Sequence, residues 1–382
     1  RNIGLVSGVP VDIVAGGKLS GALDGLGIGM LTVQSAGTAT TNGQLLSVGR
    51  FTMPVLGQSK LGLLFTNGDP TGSRNNTVAG ADFQFRDTKI LGGDTIQADF
   101  FYEHSFTSAA PDDDAYGFEV SFPNEPWYGE LRFREIGGDF DPALGFVNRT
   151  GIRDYYGNVV HRHRYDSSWL RWTELATWMS ATTDLDDRIE SRQNGAWAGM
   201  FTNDSDSLFV NVMNNYERVL TPFELPRGVV VPADEYEWTN VSIDFGASDA
   251  RWISGGVTLE CCTYLDGDYR RADFRIDMRP SETFGITANY FYSTFDMPGG
   301  EFEVAISALD LTVNFTPDMS LRTQVQYDNI SESMGLSARY RWEFNPGSEL
   351  FFAIGESADV VGDHYASNTT QFSVRIGHTH RL

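Results

Sequence analysis

The sequence predicts an all-β fold, a transmembrane antiparallel β-barrel of about 20–22 strands, on three observations. Apolar and charged side chains alternate by parity along run after run. The runs are about 9–15 residues long, suited to the roughly 9–11 residues that cross hydrocarbon and longer than soluble strands, which peak near 5–6. Short turns and longer polar connections alternate, as outer-membrane barrels require.

A strand points successive side chains to opposite faces, so parity sorts each run into two surfaces. "GADFQFR" carries Phe83 and Phe85 on one parity, "AYGFEVSF" Phe118, Val120 and Phe122, and "YGELRFRE" Leu131 and Phe133 against Glu130, Arg132 and Arg134. "ADFRIDMR" sets Phe274, Ile276 and Met278 against Arg271, Asp273, Arg275, Asp277 and Arg279. "LDLTVNF" gives Leu309, Leu311, Val313 and Phe315, and "SLRTQVQYD" sets Leu321, Val325 and Tyr327 opposite Arg322 and Gln324. "MGLSARYRWEF" separates Leu336, Tyr340 and Trp342 from Arg339, Arg341 and Glu343. An arginine facing lipid near the midplane costs about 2–4 kcal/mol. The apolar set (Leu309, Leu311, Phe315, Leu336, Tyr340, Trp342) is therefore expected to face lipid. Arg271, Asp273, Arg275, Asp277, Arg322, Gln324, Arg339, Arg341 and Glu343 are expected to line the lumen.

Tight turns fall at "DGLG", "GQS", "NEP", "DSS", "SDAR", "PSE", "TPDM" and "NPGS". Longer outer loops are expected at about 68–77, 108–115, 137–149, 220–235, 296–302 and 358–369. Residues 1–8 read as the remnant of an upward strand, and a last strand over about 370–381 runs downward. A soluble propeller or sandwich also alternates, but no blade-like repeat recurs and no strand is apolar on both faces.

Bulk composition agrees. The 382 residues hold no linker or composition break, so a single domain over 1–382 is expected. No apolar stretch is long enough for a spanning helix, which leaves barrels untouched. A formal net charge of −23 argues against a nucleic-acid partner and fits a cation-attracting lumen. The adjacent Cys261 and Cys262 point to opposite faces of a strand, which argues against a bond between them. The opening on Arg1, without Met or signal peptide, reads as a processed or trimmed chain.

Three acidic tips fall on the outer side: "PDDDAYG", "TDLDDR" and "LDGDYR". Hard cations want clustered carboxylate oxygens. Asp112, Asp113, Asp114, Asp184, Asp186, Asp187, Asp266 and Asp268 are thus candidate calcium ligands that would stiffen loops or dock lipopolysaccharide. Solvated loop tips are the competing reading, and none of the three has EF-hand spacing. His161 with His163, and His378 with His380, share strand faces. Such pairs suit zinc or copper, yet a site needs three or four ligands, and rim imidazoles explain them as well. Trp127, Trp169, Trp178, Trp238, Trp252 and Trp342 sit mostly near strand ends, where an interfacial girdle places them. No nucleophile elbow, HExxH or phosphate-binding glycine loop occurs, so no enzyme is expected.

The stretches "PVDIVAGGKLSGALDGLGIGMLTVQS" (10–35), "GGDFDPALGFVNRTGIRDYY" (137–156), "YERVLTPFELPRGVVVPADEYEW" (216–238), "DMPGGEF" (296–302) and "RWEFNPGSELFFAIGE" (341–356) resemble an uncharacterised family of Gram-negative outer-membrane β-barrel domains. In that family the barrel usually follows a carbohydrate-binding module resembling family nine. The resemblance implies that the chain is N-terminally incomplete, because a strand-rich segment normally precedes the position of Arg1. An intact barrel would then reach about 24–26 strands. It carries over no reaction or transported substrate.

The function expected is a pore or transport component in the bacterial outer membrane, with passage set by lumen charge and inward-folded loops. A surface scaffold or adhesin with a plugged barrel is the alternative. Outer-membrane lipid and lipopolysaccharide are the expected partners, with other envelope proteins or a separate N-terminal chain beside them; calcium is the one cofactor suggested.

Overall fold

In hydrocarbon every backbone N–H and C=O needs an internal partner, which for alternating runs such as these means pairing into a closed sheet. A computed structural model of the chain describes residues 3–6, 9–38, 41–362 and 364–379. In order the elements begin with β1 (Leu5–Val6), β2 (Val9–Pro10), β3 (Ile13–Leu23), β4 (Leu26–Ser35), β5 (Leu45–Val55), β6 (Ser59–Asn67) and β7 (Asn76–Leu91). Then come β8 (Asp94–Thr107), β9 (Asp113–Phe122), β10 (Trp127–Ile136), β11 (Ile152–Arg164), β12 (Leu170–Asp184), β13 (Ile189–Thr202) and β14 (Ser207–Arg218). A small hairpin, β15 (Phe223–Leu225) and β16 (Val229–Val231), flanks a single 3-10 turn. The rest are β17 (Glu235–Ala247), β18 (Ile253–Tyr264), β19 (Gly267–Ser281), β20 (Phe284–Met297), β21 (Gly300–Thr316), β22 (Met319–Asp328), β23 (Ser333–Asn345), β24 (Ser348–Val361) and β25 (His364–His378).

Twenty-one of these, β3–β14 and β17–β25, form one closed barrel in chain order. The fold is thus a transmembrane antiparallel barrel, with a strand count inside the range expected from sequence.

The chain divides into two compact units, one of residues 1–162 and 176–194, the other of 163–175 and 195–382. In the first, the outer face carries a row of rings that crosses four strands. Phe100 lies opposite Phe118, Phe118 opposite Phe133 and Phe133 opposite Tyr155. The ring centroids stand 6.3, 5.8 and 5.3 Å apart. Leu131 on the same face is 64% exposed and Leu63 52%. A water-soluble monomer rarely shows a contiguous apolar surface of this extent; lipid covers it. In the second unit the equivalent face holds Phe274 opposite Tyr290 and Leu309 opposite Val325, with Leu336 beyond. Tyr340 pairs with Phe352, and Trp342 with Leu350, on that face. Exposed Trp127, Trp169, Trp252 and Trp342 all stand at the short-turn ends of their strands, as an interfacial belt does. Trp178 lies mid-strand in β12, and Trp238 packs inward against Tyr264.

Several sequence expectations change. Leu5–Val6 pairs with Val9–Pro10 as a two-stranded ribbon, not as an upward barrel strand. At 296–302 and 358–369 the ladder runs on almost to the tip: β20 ends at Met297 and β21 starts at Gly300, and β24 ends at Val361. There the turn residues mark only a hairpin apex, and cross-strand pairing continues past the hydrocarbon. Cys261 and Cys262 are joined as a disulfide within the unbroken β17–β18–β19 ladder, against the sequence expectation.

Leu309→Arg is expected to lower the free energy of unfolding from lipid vesicles by about 2–4 kcal/mol. Gln324→Arg, on the opposite parity, should change it by about 0.5 kcal/mol or less. Denaturant titrations giving equal losses at both positions would refute the assignment of faces.

Candidate functional site: the inner wall and its inward loops

Chemistry-bearing side chains concentrate on the inner face. In the second unit, Arg271 donates through Nε to Asp273 at 2.7 Å and reaches Glu260 at 3.4 Å. Arg275 holds Asp277 by two bonds of 2.6 and 3.0 Å, and the Thr287 hydroxyl donates to Asp277 at 2.6 Å. The predicted ladder on β19 is therefore internally neutralised, arginine to aspartate along one strand. Arg341 donates to both Glu343 and Glu349 at 2.9 Å. Arg322 and Arg339 differ: they lie directly opposite each other across β22 and β23. Gln324 faces Ser337 on the same ladder.

In the first unit the wall carries a pair that the sequence reading missed. Arg50 on β5 makes a bidentate contact with Asp82 on β7, one arm at 2.8 Å. It spans β6 above Gly62, where an added Cβ would fall on both the guanidinium and the carboxylate. Parity put each residue inward, but only the register aligns them over a glycine. Arg134 likewise meets Asp154, which also accepts from the Thr182 hydroxyl at 2.8 Å.

Two outer connections fold onto this inner face. The segment 137–151 buries Phe140, Ala143 and Leu144. Phe140 packs with Val78, Ala115, Ile136 and Ile152, four inward-parity positions of adjacent strands. A polar latch holds the segment down. Arg74 donates to both oxygens of Asp141 at 2.6 and 2.8 Å, and the Asn76 amide donates to the Asp141 carbonyl at 2.7 Å. The Asp141 amide in turn donates to the Ser105 hydroxyl at 3.1 Å. Asp69, 3% exposed, accepts from the backbone and hydroxyls of Thr71 and Ser73 in the neighbouring loop. Burial alone would raise its carboxyl, but these donors and nearby Arg74 outweigh it and hold Asp69 below the ordinary aspartate value. The hydrogen bond to Asp141 keeps the Arg74 guanidinium raised.

The second inward segment is the β15–β16 hairpin. Val229 and Val231 are buried with Val219, Tyr236, Leu265, Met297 and Phe302. Arg227 at its tip has φ +63°, the left-handed region, and donates to the Asn329 carbonyl at 3.4 Å. A cleft of about 750 Å³ opens beside it, lined by Arg227, Arg270, Asp268, Asp296 and Glu301 among others.

Two of the three acidic tips are engaged within the protein. Asp112 accepts from the Thr107 amide at 3.3 Å, and Asp113 from the amides of Asp114 and Asp139, both at 2.8 Å. Asp114 takes the Tyr102 hydroxyl at 2.5 Å and His104 at 2.6 Å. Asp184 accepts the Asp186 and Arg188 amides, Asp186 pairs with Arg188, and Asp187 with Arg153. Asp266 and Asp268 stay exposed at the β18–β19 apex. Among the described residues no three His, Cys, Asp or Glu side chains gather as a metal site. The calcium expectation thus lacks an assembled ligand set: amides, hydroxyls and arginines engage the oxygens of the first two tips, and Asp266 and Asp268 gather no further ligand. His161 packs tilted against Trp127 at 4.5 Å, His163 meets Tyr165 at 4.6 Å, and His378 Nδ1 lies 2.8 Å from the Ser348 hydroxyl. His380 lies outside the described residues.

At the short-turn end, Asp206 is clamped by Arg251 and then by the Ser248 amide, which carry its carboxyl down to about 2. That clamp stays closed at every pH above the ordinary carboxylate range and is lost only as pH falls through about 2.

No protein-family model and no curated protein matches the chain. Among solved structures it is similar to the siderophore receptor PirA from Acinetobacter baumannii, with a TM-score of 0.52 at 7% identity over 92% of this chain and 74% of that one. It is also similar to the ferric-catecholate import receptor Fiu from E. coli K12 in its open form, with a TM-score of 0.43 at 7% identity over 94% of this chain and 71% of that one. The PirA likeness supports the fold alone, a β-barrel.

The latch makes a pH prediction. A carboxyl lowered in the folded state stabilises it above the unfolded value of about 3.9, and that stabilisation is lost as pH falls through the folded value. Limited proteolysis within 68–75 and 137–151 should be slow from pH 6 down to about 4 and accelerate below. Asp69→Asn should cleave quickly at pH 6 already. Equal rates for both proteins at pH 6 would show that Asp69 does not hold the loops.

Proposed function

We propose that this barrel is a pore or transport component of the outer membrane, with passage governed by the charged inner wall and the two inward segments. The observation that carries the reading is where those segments lie. Loops rich in Phe, Leu and Val pack on inward-parity positions, leaving a charged wall below them. That PirA is a siderophore receptor supports transport as the class. The exposed carboxylates at the outer apices, Asp268 opposite Asp296 and Asp296 opposite Glu301, suit contact with the cation-bridged headgroups of lipopolysaccharide.

Reconstituted in planar bilayers, the chain should give ohmic steps. Replacing residues 223–231 by a short Gly-Ser turn should raise unitary conductance about twofold or more, since a constriction sets the current. Silence of both proteins, with insertion shown by protease protection, would favour the plugged scaffold and overturn the proposal.

A further inference from the structure

The inner wall of the second unit pairs nearly every arginine with a carboxylate, except on one patch. Arg322 on β22 and Arg339 on β23 are direct cross-strand partners, and neither forms an ion pair among the described residues. Arg341 follows Arg339 on the same parity, and Arg375 lies opposite Phe351, itself opposite Arg341, with no ion-pair partner among the described residues. Four guanidinium groups therefore share the lower inner face of β22–β25. Of the carboxylates near them, Glu343 and Glu349 are both held by Arg341. Asp310 stands opposite Gln324, only diagonal to Arg322.

Like charges set directly opposite oppose sheet pairing. In a chain with a net charge of −23, two facing arginines are the arrangement that the surrounding composition least favours. The same strands end in a cleft of about 550 Å³ lined by Arg341, Glu343, Glu349 and His378. Arg341 belongs to both the patch and the cleft.

We propose that Arg322, Arg339 and Arg375, with Arg341 at the edge, form a lumenal subsite for small polyanions bearing carboxylate or phosphate groups. The guanidinium fork matches both groups bidentately, and a multivalent anion can bridge β22 and β23 where no protein carboxylate does. This deepens the transport reading by giving the passing solute a sign opposite to the one suggested by the chain's net charge.

Equilibrium titration calorimetry on the full chain in detergent tests the subsite without requiring conduction. Citrate and inorganic pyrophosphate serve as the carboxylate and phosphate probes, at about 0.01 M salt, where screening extends to about 30 Å. Heat of binding is expected with at least one probe, and which one responds names the group. Affinity should fall about tenfold for each arginine removed, in R322Q, R339Q and the double variant. R188Q, on an outer turn, should match the parent. Should the double variant misfold, R322K/R339K keeps charge without the fork and should retain part of the affinity. Absence of heat with both probes, or equal affinity in parent and R322Q/R339Q, overturns the subsite. Binding without conductance would instead sink the transport reading and leave the subsite standing.

Discussion

Hydrocarbon offers a backbone no hydrogen-bond partner, and everything else in this molecule follows from that constraint. Each strand must give all its N–H and C=O groups to neighbours, so the chain advances as hairpins. Once the ladder is fixed, period-two alternation leaves no freedom over where a side chain points. A one-residue slip in β23 would carry Arg339 and Arg341 into lipid and Leu336 and Tyr340 into the lumen. At about 2–4 kcal/mol for each lipid-facing arginine, such a slip is excluded by the charges alone. Arginine and aspartate on the inner wall therefore specify register as well as charge.

The constraint also explains what kind of ion pairs the wall uses. On β19, Arg271 reaches Asp273 and Arg275 reaches Asp277, two residues along the same face of one strand. In the first unit, Arg50 reaches Asp82 across an intervening strand and needs Gly62 beneath it. The first kind survives any error of strand order, while the second exists only when three strands stand in register. The wall thus mixes pairs that are indifferent to topology with pairs that depend on it.

That distinction tracks what was legible in the sequence. The barrel class, the strand number and the two faces were all readable, because period-two alternation is local. Placing Leu309 and Trp342 on the apolar face needed no knowledge of their neighbours. The Arg50–Asp82 pair and the Arg74–Asp141 latch were not readable: their partners lie 32 and 67 residues apart, and register over several hairpins decides whether they meet. The acidic tips misled for a related reason. Asp184 and Asp113 look like cation ligands in one dimension, but in three they accept the amides of the turns that carry them. The β20–β21 and β24–β25 loops are shorter than the sequence predicts because turn residues mark an apex, not the end of pairing.

The inward loops belong to the same logic. Near the outer rim the inner face turns apolar: Val78, Ile136 and Ile152 in one unit, Tyr236 and Phe302 in the other. These positions face neither lipid nor, on parity, a dry interior, so left bare they would meet water. A covering of Phe140, or of Val229 and Val231, removes that exposure at about 25 cal/mol per Å² buried. The loops carry their own apolar residues for the same reason, since a polar loop would not stay on such a surface. Where the inner wall becomes charged again, around Arg271 and Asp277, no such buried apolar cluster forms among the described residues. The polarity of the wall thereby decides where each loop packs, and the loops in turn cover the apolar part of the wall and not the charged part.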